Sequence, residues 1–338
     1  MGIALCGLGN YARRQLAPAL EQTGNCRLTG AITGSPEKVP ALQKKHPGLT
    51  EENVFSYGQI EELAACEEID VVYVVTPHGL HYRDTMAALE AGKHVIVEKP
   101  MAGTAAECRE MILLAEKKGL GLQTGYRLHW DPYHNALREA VRRGEIGEFT
   151  ELSGGLGYRS PDPGPQAWQV KKELAISGAL HSLGVYPIQA AHYLMMDNPV
   201  AVTAESIAAE PDYHEVPLAY QFQLRFASGL AFQGRASSGQ KMNDIRGKGN
   251  KGAFKLEPSY AYDGLKGAIN GRGLNFGSPN QQALQMDAQC LAMARQIPGL
   301  TPGEMGLRDV IILEAIMEAA QTGREVRLPE QAVFPAHR

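Results

Sequence analysis

Positive charge is in short supply in this chain. Lysine and arginine number 33 against 37 aspartates and glutamates, a formal net charge of −4, so there is no basic surplus to neutralise phosphates and nucleic acid is not an expected partner. Cysteine is scarce too. The five residues Cys6, Cys26, Cys66, Cys108 and Cys290 are odd in number and scattered, which fits neither a disulfide framework nor a zinc site with close paired ligands. They read as buried thiols in a reducing compartment, and no metal is expected. The longest strongly apolar run, Val71-Val72-Tyr73-Val74-Val75, is far too short to span a bilayer. No basic segment followed by an apolar one precedes the first strand. The expectation is a cytoplasmic enzyme with no membrane partner. Because Met1-Gly2 abuts the first strand directly, a removed leader would instead place the chain in the periplasm. Internal repeats and low-complexity tracts are also lacking.

What is present is an ordinary globular composition, 44% hydrophobic and 21% charged, spread over 338 residues. That length suggests two domains, each able to bury its own core. Over the first third, short apolar runs alternate with helical patterns. Strands are expected at 2–6, 27–33, 71–75, 94–97 and 120–124, and helical segments at 13–23, 36–46, 60–65, 82–91 and 105–118. Strands separated by helices imply parallel pairing with right-handed crossovers. Beyond about residue 125 the pattern changes. Helices at 133–143 and 178–196 flank a Pro-rich loop at 161–165, β-type runs follow at 217–226, 230–237 and 247–256, and a helix closes at 307–322. The fold class is therefore α/β: a doubly wound parallel sheet over 1–124, then an α+β domain with a mostly antiparallel sheet over 125–338.

Gly7-Leu8-Gly9-Asn10-Tyr11-Ala12 follows the first strand and opens a helix, the context that the G-x-G-x-x-A nucleotide turn requires. Gly7 makes the tight turn, Gly9 lets backbone approach a pyrophosphate, and Ala12 allows the helix to pack closely on the strand. A plain strand-to-helix turn is the bland alternative. The tip of the second strand selects the nucleotide, because NAD sites usually carry a carboxylate there for the ribose 2′-hydroxyl. This chain has Thr33-Gly34-Ser35, with Lys38 on the next helix. Hydroxyls, a helix N-terminus and a lysine would hold a 2′-phosphate that a carboxylate would repel. NADP is thus preferred over NAD, although Ser35-Pro36 would equally cap a helix and leave Lys38 solvated.

With that turn, Val74-Val75-Thr76-Pro77-His78-Gly79-Leu80-His81 and Glu98-Lys99-Pro100 in this order, the chain resembles the glucose-fructose oxidoreductase / inositol dehydrogenase / rhizopine catabolism (Gfo/Idh/MocA) family. The likeness covers nearly the whole length. It looks closest to the glucose-fructose oxidoreductase branch, through Gly125-Tyr126-Arg127-Leu128-His129-Trp130-Asp131-Pro132, Trp168 to Leu174, Gly184-Val185-Tyr186, Phe226 to Gly229 and Pro302 to Asp309. The resemblance implies a Rossmann domain followed by an open-faced sheet that often forms oligomer contacts, hence a homodimer or homotetramer. It further implies a sugar or polyol substrate and a nicotinamide cofactor. Carried over by motif, Lys99 is the catalytic lysine and Tyr186 the proton donor or acceptor. Ser35, Lys38, Tyr57, Arg127, Trp168 and Tyr262 would lie along the cofactor, with Thr76, Pro77, His78 and His81 in a loop over it and Glu98 beside the lysine. One departure stands out. Where the family usually reads Gly-Gly-Gly and then Leu-x-Asp-x-Gly, this chain has Ile176 to Gly184, with Ser182 at the aspartate's place.

Hydride transfer to or from a carbinol carbon needs a partner for the hydroxyl proton, since an alkoxide is too basic to form unaided near neutrality. Tyr186 is the candidate. A tyrosine ordinarily keeps its proton well above neutral pH, so a positive partner is required, and Lys99 is the obvious source. Ser182 and Tyr186 are four apart and share a helix face if helical geometry holds there. A loop over 177–182 would instead let His181 point inward as a substitute proton relay; otherwise His181 is hydrogen-bonded at a helix start. Loss of the aspartate also motivates a rival reading, a nucleotide-binding sensor or regulator without catalysis.

Overall fold

The computed structural model describes residues 1–159, 161–208 and 213–330. The described residues form two compact units, residues 1–129 with 280–307, and residues 130–279 with 308–330. A single boundary after residue 124 does not anticipate the return of 280–307 to the first unit.

In the first unit β1 (Gly2–Cys6), β2 (Arg27–Ile32), β3 (Val54–Phe55), β4 (Val71–Val74), β5 (His94–Val97) and β6 (Leu122–Thr124) form one parallel sheet in the order β3-β2-β1-β4-β5-β6. Every residue of β1 and β4 is buried, as expected for strands covered on both faces, and this is why they read as unbroken apolar runs. Strand order reverses between β1 and β4, so their C-terminal ends frame the crevice where doubly wound sheets bind ligands. The expected helix at 36–46 is broken into a tight turn, Pro36–Lys38, and a short helix, Val39–Gln43. Segment 60–65 is a tighter 3₁₀ helix that starts earlier, at Tyr57. Two elements come unannounced: the two-residue edge strand β3 and the helix Gln281–Ala294. Met286, Cys290 and Met293 of that helix join Ile3, Leu5, Leu16 and Tyr73 in one buried cluster.

The second unit is built on β7 (Phe149–Gly157), β8 (Pro199–Ile207), β9 (Ala219–Phe226), β10 (Ala231–Ser237), β11 (Met242–Gly249), β12 (Ala253–Leu256), β13 (Gly267–Ile269), β14 (Arg272–Gly273) and β15 (Val326–Arg327). They pair in the order β14-β13-β12-β11-β7-β10-β9-β8-β15. All neighbours are antiparallel except β7 and β10. Burial alternates along β9, with Tyr220, Phe222, Leu224 and Phe226 inward and Gln221, Gln223 and Arg225 exposed, so one face of the sheet is open. The covered face packs against the helix that begins with a wide turn, Leu180–Gly184, and continues as Val185–Met195. Asp131 caps the helix Pro132–Arg142 by accepting from the Tyr133 and His134 amides at 2.9 and 3.1 Å. Among the described residues no helix is long and apolar enough to cross a membrane.

Candidate active site

Gly7 sits at φ +104 with its amide donating to the Ile32 carbonyl at 2.9 Å. A β-carbon there would lie 3.0 Å from the Val75 oxygen, so both conformation and space demand glycine. Gly9 has no atom within 4 Å of where a β-carbon would stand, which leaves open room beside the helix start for a ligand's phosphates. The helix is under way at once, since the Arg13 amide reaches the Gly9 carbonyl at 3.1 Å, and Ala12 is fully buried against the sheet. Asn10 accepts from the Arg13 guanidinium, and Tyr11 is half-buried. These features fit a dinucleotide pyrophosphate at a helix N-terminus.

At the end of β2 the Thr33 hydroxyl accepts from the Ser35 amide at 3.0 Å. The Tyr57 ring lies against Gly34, and the Arg83 guanidinium is 5.9 Å from that ring's centre. Lys38 closes the short turn. No carboxylate stands among Thr33, Gly34 and Ser35.

The loop after β4 is held by the helix that follows it, His81–Glu90. Asp84, almost wholly buried, accepts from the Thr76 hydroxyl at 2.8 Å and meets Arg83 at 2.7 Å. His81 is fully buried, and both of its ring nitrogens are within hydrogen-bond distance of carbonyl oxygens, those of Thr76 at 2.9 Å and Pro100 at 2.8 Å. It has no nitrogen left for a cofactor. Pro77 precedes a single turn at His78–Leu80, and the buried His78 ring stands edge-on to His81, centres 5.7 Å apart. Among the described residues no three His, Cys, Asp or Glu side chains are grouped to hold a metal ion.

At the end of β5 the Glu98 carboxyl is buried. It accepts from the Tyr73 hydroxyl at 2.8 Å and from the Lys99 amide at 3.2 Å. Burial pushes Glu98 above the usual carboxylate range, while the Lys99 charge and the Tyr73 hydroxyl pull the other way. Lys99 itself is half-exposed and precedes a cis bond to Pro100. Behind this pair runs a polar chain that the sequence did not reveal. Gln285 donates to Tyr73 at 3.1 Å and to Gln289 at 3.1 Å, and Gln289 donates to the Thr124 carbonyl and the Thr301 hydroxyl, each at 2.9 Å. Arg127 is buried and donates to Gln281 of the same helix. A β-carbon on Gly125 would fall 2.8 Å from Glu98 and 2.9 Å from the Tyr73 hydroxyl, so that glycine makes room for the carboxyl.

In the second unit Tyr186 is half-buried, its ring centre 5.8 Å from that of Tyr260. Of 177–182, residues 177 and 178 form a turn with Gly178 at φ +58, and the wide helical turn runs from Leu180, with the Ser182 amide donating to the Gly178 carbonyl at 3.0 Å. Ser182 and Tyr186 therefore share a face. His181 is fully buried, with Nδ1 2.5 Å from the Ser177 hydroxyl. Ile176 takes φ +62, a costly conformation for a β-branched residue, where the resemblance would expect glycine. Ser182 also lines a cleft of about 420 Å³ with Arg159, Gln169 and His214. Trp168 lies in a short turn, Trp168–Val170, and Tyr262 is exposed.

Residues 1–126 match the profile described as "Oxidoreductase family, NAD-binding Rossmann fold", and residues 134–255 that of the "GFO/IDH/MocA C-terminal domain". The chain belongs to the Gfo/Idh/MocA oxidoreductase family. Among the proteins it is similar to, the D-xylose 1-dehydrogenase [NADP(+)] of Haloarcula marismortui is 27% identical over 96% of this chain and 92% of its own. The 1,5-anhydro-D-fructose reductase of Ensifer adhaerens is 30% identical over 68% and 67%. The aldose-aldose oxidoreductase of Caulobacter crescentus, solved with glycerol, superposes with a TM-score of 0.91 at 32% identity, covering 97% of this chain and 99% of that one. This Gfo/Idh/MocA member thus carries the family's six-stranded parallel sheet and its mixed, mostly antiparallel second sheet.

Two buried imidazoles of this family member set an acid limit on its stability. Burial lowers His81, and burial with the Arg308 charge lowers His192 further. Each group takes up its proton near pH 6.5 when unfolded but resists it when folded. The stability they contribute is present above pH 6.5 and is lost as pH falls below it. Glu98, raised in the fold by burial, acts in the opposite sense, offsetting part of this loss as pH falls toward its unfolded value near 4.3. Urea unfolding is expected to show a loss on the order of 2 kcal/mol between pH 7 and pH 5.5; a flat or rising profile over that range would contradict it.

Proposed function

We propose that this chain is an NADP-dependent oxidoreductase acting on a CH–OH group of a sugar, polyol or related cyclic carbohydrate, with Tyr186 exchanging the hydroxyl proton and Lys99 as its electrostatic partner. The observation that carries the reading is the strand end at Glu98-Lys99, where a half-exposed lysine whose amide donates to a buried carboxyl ends a strand of the parallel sheet. Nicotinamide, when bound, supplies or accepts the hydride. Lys99 offers a fixed positive charge toward developing negative charge on oxygen, and the Glu98–Tyr73–Gln285 chain holds the backbone from which it projects. The names of relatives that act on xylose, anhydrofructose and aldoses support the substrate class.

NADP is preferred because Thr33, Ser35 and Lys38 offer hydroxyls and a cation where a carboxylate would select NAD. Placing a carboxylate there should reverse the choice. Ser35→Asp is expected to lower kcat/KM for NADP relative to NAD by roughly 10- to 100-fold, since a like charge desolvated beside a phosphate costs on the order of 1–3 kcal/mol. An unchanged ratio would place the 2′-phosphate elsewhere.

The direct test is a panel of sugars and polyols followed by reduced-nicotinamide absorbance, with NADP and NAD in parallel. Turnover of at least one supports the proposal. Binding of NADP without turnover of any would favour the second reading, a sensor or regulator, which Ser182 in place of the family aspartate motivates. A close variant keeps the nucleotide bound and shuttles hydride between two sugars; nucleotide retained through gel filtration would support it. The same column with light scattering tests the expected homodimer or homotetramer.

A further inference from the structure

The loops that follow β4 and β5 are joined by one side chain. His81, the first residue of the helix His81–Glu90, has its Nε2 2.9 Å from the Thr76 carbonyl oxygen and its Nδ1 2.8 Å from that of Pro100. The ring is fully buried, so water replaces neither contact. Thr76 is also gripped through its hydroxyl by Asp84, one turn along the same helix. The helix start therefore holds the first loop by main chain and side chain, and reaches across to hold the second at the residue immediately after Lys99.

We propose that His81 is the positioning residue for Lys99: wedged between the carbonyls of Thr76 and Pro100 and within hydrogen-bond distance of both, it fixes the two strand-end loops against each other and sets the direction in which the lysine leaves β5. Lys99 is then secured on both sides. Its own amide donates to the Glu98 carboxylate at 3.2 Å, and the next carbonyl oxygen is packed 2.8 Å from the imidazole Nδ1. Carbonyl oxygens only accept, so the neutral ring, which has one N–H, donates to one of the two and packs against the other, a role that an amide side chain fills in part and a phenyl ring cannot fill. A catalytic group displaced by about 1 Å can lose 100-fold in rate, so the effect belongs in kcat rather than in nucleotide affinity. The inference rests on the role given to Lys99 above.

The test uses H81F and H81Q, each alone and combined with K99M. H81F is expected to lower kcat about 10- to 100-fold with the NADPH Kd changed less than about threefold, and H81Q to recover activity to within about fivefold. If His81 acts through Lys99, H81F costs less than about threefold further once K99M is present, because residues acting as a unit are not additive. An equal factor in both backgrounds would show a merely structural role and overturn the proposal. A readout without substrate accompanies it: labelling of Lys99 by trinitrobenzenesulfonate, followed by mass spectrometry. The labelling rate should change at least about threefold in H81F and little in H81Q; an unchanged rate in H81F also overturns the proposal. Should H81F not fold, H81N, whose amide is too short to bridge both carbonyls, takes its place. If K99M leaves turnover untouched, the role given to Lys99 fails, while the labelling still reports on His81.

Discussion

Tyr186→Phe is expected to lower kcat by roughly 10²- to 10⁴-fold, the range that a positioned general acid or base contributes, with the NADPH Kd changed by less than about threefold. The substitution removes one oxygen and keeps the ring. That ring packs beside Tyr260, centres 5.8 Å apart, and Tyr260 leans on the buried His134, so the aromatic stack survives and the fold with it. On the role proposed for Tyr186, what is lost is the group that takes the substrate's proton as hydride leaves, or returns it in reduction. Because that exchange belongs to the transition state, kcat and kcat/KM should fall together while binding is spared. Steady-state kinetics with the best substrate from the panel, alongside nucleotide titration, checks this. A loss under about tenfold would assign the proton to another group.

Lys99→Met follows with an expected loss of roughly 10²- to 10³-fold in kcat/KM, of the order seen when one preorganised electrostatic contact to a developing charge is removed. Methionine keeps much of the apolar stem, so packing changes little. The charge balance at the strand end does change. Lys99 is the leading influence that pulls the buried Glu98 down against burial; without it the carboxyl becomes easier to protonate, and a neutral carboxyl still accepts from Tyr73. The variant should therefore fold and bind nucleotide. Turnover at the wild-type rate would remove the lysine from the chemistry, whereas a raised KM at unchanged kcat would make it only a binding residue.

The sequence made the strands of the parallel sheet readable wherever both faces were covered by apolar neighbours, as in Val71–Val74 and His94–Val97. The glycine turn was readable because Gly7 and Ala12 are required by backbone conformation and close packing, which leave a fixed spacing. The helix Gln281–Ala294 was not. Gln281, Gln282, Gln285 and Gln289 are buried, so the inward face of that helix is half amide and its apolar period is interrupted. Those amides meet Tyr73, Thr124 and Arg127, partners more than 150 residues away that no local pattern reveals. Strands β3 and β14 are two residues each, too short for any alternation to register. Around Lys99 the sequence exposed the pair Glu98-Lys99 but not its supports. A tyrosine within an apolar run looks like one more core residue, and a histidine in a loop motif looks like a ligand contact. Only the fold turns Tyr73 and His81 toward the strand end.

The helix Gln281–Ala294 also orders events in time. Tyr73, Glu98 and the Thr124 carbonyl are synthesised early, yet the amides that satisfy Tyr73 and Thr124 leave the ribosome only after eight of the nine strands of the second sheet, 212 and 165 residues later or roughly 10–40 s at ordinary elongation rates. Until then the first unit lacks one wall of its core, with Leu5 and Ile96 deprived of Met286 and Cys290. The nucleotide-binding half of this protein is therefore begun first but completed only after most of the second sheet has been made. A nascent chain halted before residue 280 would present an incomplete, sticky sheet, the kind of surface that chaperones hold.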